Sequence, residues 1–196
     1  MPNLSLGKSI ALTDLSTEVN RYRHVTPGIF VCVHFPILLD DRDPIVPGLV
    51  AMVGHGRLKQ CKPSPEGVVG PPNFVLDVID FGEEQEYEER RAAFEGLRVG
   101  EYVTVHLAEE QRCVWNRLEG ERFVEVEPDG DGTMKSKALP GLWFSTGRSG
   151  DGGHWWLKDR IEYGATRLGH HELMETIWHK EGRDPDWGDW MPFDAG

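Results

Sequence analysis

A single carboxylate inside an apolar segment is the residue of this chain whose setting most suggests chemistry. Asp77 lies in the run Asn73-Phe-Val-Leu-Asp-Val-Ile-Asp80, which has the composition of a buried strand. Burying a carboxylate there is costly unless a metal, a cation or a functional requirement compensates for it. Arg90 and Arg91 lie on the next predicted helix and are candidate cations. Two interpretations of Asp77 therefore stay open, a metal ligand and the acidic half of an ion pair.

The elements around Asp77 form a predicted strand-helix-strand unit. The strand at 73–80 is followed by a helix over 83–97, with glutamates in its first two turns and Tyr87, Phe94 and Leu97 on one apolar face. The segment 101–107 then alternates apolar and polar residues, as a strand does. Two strands joined through a helix are usually parallel or close neighbours, so we expect 73–80 and 101–107 to lie side by side.

Further strands are predicted on both sides of this unit. They are 29–35, 49–53, a hairpin of 112–118 with 122–127, and a short last strand that ends near Phe144. Residues 54–72 read as a loop, and Asp14–Val19 as at most a short helix. These patterns predict an α/β fold with a central mixed sheet and a covering helix.

The predicted domain plan has three parts. An N-terminal extension covers 1–27, the α/β domain covers 28–146, and a tryptophan-rich tail covers 147–196, with a helix over 159–180. The tail tryptophans fit anchoring by apolar burial better than base stacking. His171, Glu175 and His179 recur on one face of the tail helix, which we interpret as surface polarity because no further ligand completes a metal site.

Composition limits the possible partners and compartments. The chain has 196 residues and a formal net charge of -12, so its average surface repels phosphate backbones and any nucleic-acid contact must be local or metal-assisted. Three cysteines in no metal-binding spacing indicate buried thiols. No apolar run is long enough for a membrane helix, and the first residues lack a signal-peptide pattern. We therefore expect a cytoplasmic protein with no membrane partner.

Several short motifs resemble one family when their order is considered. They are Pro71-Pro-Asn-Phe-Val-Leu-Asp77, the helix after it, Val99-Gly-Glu-Tyr-Val103 and Ser136-x-x-Leu-Pro-Gly-Leu142. In this order they resemble the Uma-type putative restriction endonuclease family, a branch of the PD-(D/E)xK nuclease superfamily. The similarity runs from about Pro47 to Phe144. It implies a restriction-endonuclease-like fold.

The resemblance also implies a chemistry, which is hydrolysis of DNA by magnesium held between two carboxylates, with a lysine beside the attacking water. The second carboxylate of the pattern falls on Asp77. The first should follow Pro47, where this chain has Gly48, and the lysine position falls on Arg90 or Arg91. Arginine stabilises phosphate charge but is always protonated, so it cannot act as a base.

A replacement for the missing carboxylate must come from nearby. Asp40, Asp41 and Asp43 precede Gly48 in a turn-prone segment, and Asp80 follows Asp77. We assign Asp43 with Asp77 as the candidate metal ligands, against the structural alternative that these aspartates only form turns. Such a site would bind magnesium weakly.

The sequence therefore supports two hypotheses for function. The first is a magnesium-dependent DNA endonuclease with a degenerate active site and possible loss of activity, in which Asp77, Arg90 and Arg91 are the catalytic candidates. The second is a non-enzymatic module that keeps the nuclease fold and binds a protein partner or a second copy of itself.

Overall fold

The computed structural model describes residues 5–26, 28–39, 42–54, 56–107, 112–130 and 132–145. The elements within these ranges are, in chain order, α1 (Leu6–Val25), β1 (Ile29–Val33), β2 (Ile37–Leu39), β3 (Arg42–Ile45), β4 (Leu49–Val53), a 3-10 turn (Gly56–Leu58), β5 (Lys62–Pro63), β6 (Val68–Val69), β7 (Phe74–Ile79), α2 (Glu84–Leu97), β8 (Glu101–His106), β9 (Arg112–Glu119), β10 (Arg122–Glu125), β11 (Thr133–Lys135) and β12 (Trp143–Ser145).

The main sheet has six strands in the order β1-β4-β7-β8-β9-β10. β7 and β8 are parallel, with Asp77 opposite Thr104, while every other neighbouring pair in this sheet is antiparallel. The crossover through α2 makes the parallel pair possible, because parallel strands cannot be joined by a tight turn. The mixed α/β class and the adjacency of β7 and β8 are thus confirmed.

Each face of the main sheet is covered by one helix. On one face, α1 packs Leu12, Leu15, Val19 and Tyr22 against residues such as Leu76. On the other, α2 packs Tyr87 and Phe94 against Val75 and its neighbours. Since successive strand residues point to opposite faces, the alternation along β7 places Asp77 on the α2 side with Val75.

Both helices have identifiable ends. The Ser5 hydroxyl accepts a hydrogen bond from the Lys8 N–H and caps α1. α2 carries Glu84 and Glu86 in its first turn, where the helix dipole favours negative charge, and it stops at Arg98, whose φ of 66° is left-handed.

A second, smaller sheet has the order β3-β2-β6-β5, with β3 at one edge, and β11 pairs with β12 to form a third, two-stranded sheet. Three expectations were wrong here. The predicted turn before Gly48 contains β3, the predicted loop 54–72 contains the short strands β5 and β6, and the predicted short helix at Asp14–Val19 is the twenty-residue α1.

Other predictions fall outside the described part of the chain. The tail over 147–196, with its helix and its tryptophans, lies outside the described residues, as do Asp40 and Asp41. The three-part domain plan stays a prediction. Within the ranges that the structure describes, neither helix has the length and apolar character that crossing a membrane requires.

Candidate functional site around Asp77

The Asp77 carboxylate is buried, with 4% of the residue exposed, and both of its oxygens accept hydrogen bonds. Oδ1 accepts from the Gly48 N–H at 2.6 Å. Oδ2 accepts from the Tyr102 hydroxyl at 3.1 Å and from Arg90 Nη1 at 3.3 Å. The carboxylate therefore accepts from a backbone N–H just before β4, from a side-chain hydroxyl on β8 and from a cation on α2.

Arg90 donates hydrogen bonds to three oxygens, one of which is Asp77 Oδ2. Nη1 also donates to the Val46 carbonyl at 3.2 Å, and Nε donates to Glu86 Oε1 at 3.0 Å, one helical turn earlier on α2. Burial works against the charged guanidinium, but Asp77 and Glu86 outweigh it and raise the pKa of Arg90 above its ordinary value. Arg90 is thus a fixed cation that neutralises Asp77.

Tyr102 completes the group from the neighbouring parallel strand. Burial, and then the adjacent Asp77 charge, raise the pKa of the Tyr102 phenol far above its ordinary value. The hydroxyl therefore remains a hydrogen-bond donor to Asp77 at all physiological pH values, and it cannot act as a base.

Gly48 lies directly beside the Asp77 carboxylate, where the family pattern places its first acid. A Cβ on Gly48 would come within 3.5 Å of Asp77 Oδ1, but also within 2.9 Å of a Leu12 methyl and 3.0 Å of the Leu76 carbonyl. The position is close to Asp77 as the resemblance implies. However, the space that an acidic side chain would need is occupied by α1 and by the β7 backbone.

The other candidate residues lie elsewhere. Arg91 donates from Nε to Asn116 Oδ1 on β9 at 3.0 Å, so of the two arginines it is Arg90 that contacts Asp77. Asp43 is exposed on β3, in the smaller sheet. Asp80 accepts hydrogen bonds from the Ser5 hydroxyl and the Phe81 N–H. The structure thus brings together Asp77, Arg90 and the Gly48 backbone.

The fit of a magnesium ion can be judged from these contacts. Magnesium requires several oxygen ligands in octahedral geometry, usually including one or two carboxylates. Here both Asp77 oxygens face N–H or O–H donors, one of them cationic, and residue 48 supplies no side chain. Across the described ranges, no group of three or more His, Cys, Asp and Glu residues is arranged to hold a metal. The surroundings of Asp77 do not fit the ion.

A second polar group lies beneath α2, farther along β8. The Thr104 hydroxyl and His106 Nε2 are 3.0 Å apart, and the His106 ring meets the Tyr87 ring edge-on with centroids 5.0 Å apart. Burial first, and then the Arg112 charge, lower the pKa of His106 against a smaller opposing effect of Glu84. His106 is therefore held in its neutral form.

The remaining motif residues form a structural cluster. Glu101 is fully buried; Oε1 accepts from Arg117 Nε and the Lys137 N–H, both at 2.9 Å, and Oε2 accepts from the Ser136 hydroxyl at 2.5 Å. The Ser136 hydroxyl in turn accepts from the Leu139 N–H at 2.8 Å. Glu101 therefore ties the Ser-x-x-Leu-Pro-Gly-Leu turn to the main sheet.

Sequence reasoning did not find two of the groups that bind Asp77. Tyr102 is in the Gly-Glu-Tyr motif, and its position opposite Val75 in the parallel register could have indicated that it lies near Asp77. The Gly48 N–H leaves no signal in the sequence, because every residue except proline carries this donor.

Comparison with known proteins adds little to this geometry. No family model and no curated protein matches the chain. One solved structure that is similar is described as "a putative nuclease belonging to DUF820" from Anabaena variabilis; it has 9% sequence identity and a TM-score of 0.48, and the match covers 63% of this chain and 69% of the other.

Proposed function

We propose that this chain is a protein-interaction module that lacks metal-dependent nuclease activity. The observation that carries the proposal is the contact of Arg90 with Asp77 at 3.3 Å, which places a fixed positive charge where a metal-dependent nuclease requires a divalent cation. The two cations would compete for one carboxylate. Arg90 neutralises the buried carboxylate of Asp77, and this role alone is enough to explain why the acid is there.

The charge of the accessible surface supports the same proposal. Glu84, Glu86, Glu88 and Glu89 are exposed on α2, the helix that covers the Asp77 side of the sheet. With a net charge of -12 for the whole chain, these side chains oppose the approach of a phosphate backbone to that face. Such a surface is compatible with a protein partner, which is either a different protein or a second copy of this chain.

The competing hypothesis is a DNA endonuclease, which the family resemblance favours. It requires Arg90 to leave Asp77 and a further carboxylate, such as Asp43, to approach. Plasmid DNA incubated with the purified chain and magnesium or manganese tests it. We expect no nicking or linearisation. Cleavage by the wild-type chain that disappears in Asp77→Ala would overturn our proposal, whereas equal cleavage by both would indicate a contaminating nuclease.

Metal binding can be measured without any substrate. A ligand that binds only the native state raises its melting temperature, so a magnesium site would stabilise the chain by an amount that grows with the logarithm of the metal concentration above the Kd. We expect the melting temperature to be unchanged by millimolar magnesium or manganese. Arg90→Ala is the informative comparison, since a metal-dependent rise in that variant alone would show that the guanidinium takes the place of the ion beside Asp77.

A further inference from the structure

An open groove lies next to the Asp77–Arg90 pair, on the outer side of Arg90. Its volume is about 320 Å³, and Pro44, Ile45, Val46, Glu86, Glu89 and Arg90 line it. The end of β3 and the residue after it form an aliphatic wall, while α2 forms a wall with two carboxylates. The two walls therefore differ sharply in chemical character.

The charges in and beneath this groove do not balance. Among the described residues that line it, Arg90 is the single cation, and its guanidinium is already shared between Asp77, Glu86 and the Val46 carbonyl. Among the described residues, the hydrogen-bond partner of Glu89 is a neutral group, the Gln85 amide, which donates to Oε1 at 2.9 Å. One positive charge against Asp77, Glu86 and Glu89 leaves two negative charges uncompensated, within a chain whose net charge is -12.

An aliphatic wall facing a wall with two carboxylates favours a particular type of ligand. Lysine and arginine side chains have an apolar stem and a cationic end, so they pack the stem on an aliphatic surface and direct the charge to carboxylates. Val46 offers such a surface, being 44% exposed, and Glu86 and Glu89 are exposed across the groove from it. Nucleic-acid phosphates lack both features and would be repelled.

The backbone beside the groove decides how a partner approaches. β3 lies at the edge of its sheet, where an added strand could pair, but Pro44 has no N–H and interrupts any ladder there. Recognition by an inserted side chain therefore fits this edge better than strand addition does.

We infer that the groove between β3 and α2 binds a lysine or arginine side chain presented by a protein partner. This inference deepens the proposed function and rests on it. It adds the chemistry of the partner, which is a basic side chain on an exposed protein segment, and it identifies Glu86 and Glu89 as the groups that recognise it.

Amide chemical-shift titration of the full chain tests the inference. The probe is the peptide acetyl-Gly-Val-Lys-Val-Gly-amide, and the control peptide has norleucine in place of lysine, which keeps the stem and removes the charge. We expect saturable shifts concentrated on 45–46 and 86–90 with the lysine peptide only. Shifts scattered over all acidic surfaces, or equal shifts with norleucine, would overturn the inference.

A matched pair of variants separates the groove from general charge attraction. Glu89→Gln removes one charge inside the groove, and Glu88→Gln removes one from an exposed position on the same helix that does not line it. We expect Glu89→Gln to weaken peptide binding about threefold to fivefold, the upper part of the range for one exposed ion pair, and Glu88→Gln less than about twofold, because Glu88 does not face the bound side chain. Equal weakening by the two variants would contradict a specific groove.

Two further outcomes distinguish the inference from the proposed function. A 12-base-pair DNA duplex that produces the same localised shifts would show that the groove recognises phosphate and would overturn the basic-partner inference. Metal-dependent plasmid cleavage, lost in Asp77→Ala, would overturn the proposed function even if the lysine peptide still bound. If neither cleavage nor localised shifts are seen, the inference about the groove is wrong and the proposed function is unaffected.

Discussion

At the scale of single residues, Asp77 is a buried carboxylate whose two oxygens both meet donors from the chain itself. Its oxygens receive three donors, so the free energy lost on leaving water is recovered from hydrogen bonds and from the charge of Arg90. Removing the acid leaves a largely buried guanidinium next to a tyrosine hydroxyl that has no acceptor. This arrangement makes the pair a measurable determinant of stability.

Asp77→Asn should therefore destabilise the fold. An amide cannot neutralise Arg90, and breaking a buried ion pair by changing one partner costs about 3 kcal/mol. Urea unfolding measures the effect. Asp43→Asn makes the same chemical change on an exposed strand and should alter the unfolding free energy by less than about 0.5 kcal/mol. Equal, small effects at the two positions would show that Asp77 is not stabilised as an ion pair.

Gly48 is the second residue of interest at this scale, because its position leaves little room for a side chain. A methyl group there meets the Leu12 side chain at 2.9 Å and the Leu76 carbonyl at 3.0 Å, and the carbonyl belongs to a central strand that cannot move freely. Residue 48 is thus tightly packed against α1 and the β7 backbone.

Gly48→Ala should cost about 1–3 kcal/mol of unfolding free energy, as overpacking of a core does. Gly96→Ala is the control, because nothing lies within 4 Å of its Cβ position in α2 and alanine favours the helix by about 1 kcal/mol over glycine. Opposite signs for the two substitutions are expected in thermal or urea unfolding. A stabilising Gly48→Ala would mean that residue 48 has room for a side chain.

At the scale of elements, α1 is the largest departure from the sequence prediction. Its buried residues, Leu12, Leu15, Val19 and Tyr22, follow a helical spacing, but threonine, serine and asparagine residues between them weaken the apolar pattern. These polar residues are accommodated because several of their side chains bond to carbonyls of the preceding turn, as Thr13 does to Ser9. Tertiary packing, which a local pattern does not contain, decides the length of this helix.

β3 illustrates a different limit. Asp43-Pro44 reads as a turn by residue type, yet these residues form an edge strand, where a proline without an N–H loses no ladder bond. By contrast, the strand-helix-strand unit around Asp77 was predictable, because its apolar periodicity and its helix charges agree with each other. The contact between Arg90 and Asp77 depends on how α2 packs on the sheet, which the local sequence pattern does not specify.

α1 should act as part of the folded core. Leu15→Ala removes a buried side chain, 6% exposed, and should cost about 2–5 kcal/mol. Ile10→Ala changes a residue of the same helix that is 47% exposed, and it should cost much less. Unfolding midpoints in urea measure both. Similar small effects would mean that α1 contributes little to the stability of the fold.

At the scale of the whole molecule, stability should depend on pH in the range where histidine titrates. The pKa of His106 is lowered in the folded state, so the unfolded chain binds its proton first as the pH falls. Stability from this group is therefore complete above the ordinary histidine pKa of about 6.5 and decreases below it.

The measurement is the unfolding free energy between pH 7.5 and pH 5.5, a range above the ordinary carboxylate pKa values. We expect it to fall toward pH 5.5 in the wild type and to fall less in His106→Gln. His24→Gln, at an exposed position on α1, should keep the wild-type slope. An unchanged slope in His106→Gln would assign the pH dependence to other groups.

The contact between Tyr22 and Pro140 has a consequence for the order of events during translation. The Tyr22 hydroxyl donates to the Pro140 carbonyl at 3.0 Å, across 118 positions of sequence. Helix α1 is therefore made well before the turn at Pro140 that completes the cover of its apolar face. Until then its apolar residues lack part of their cover, and contacts between residues so far apart in sequence slow folding.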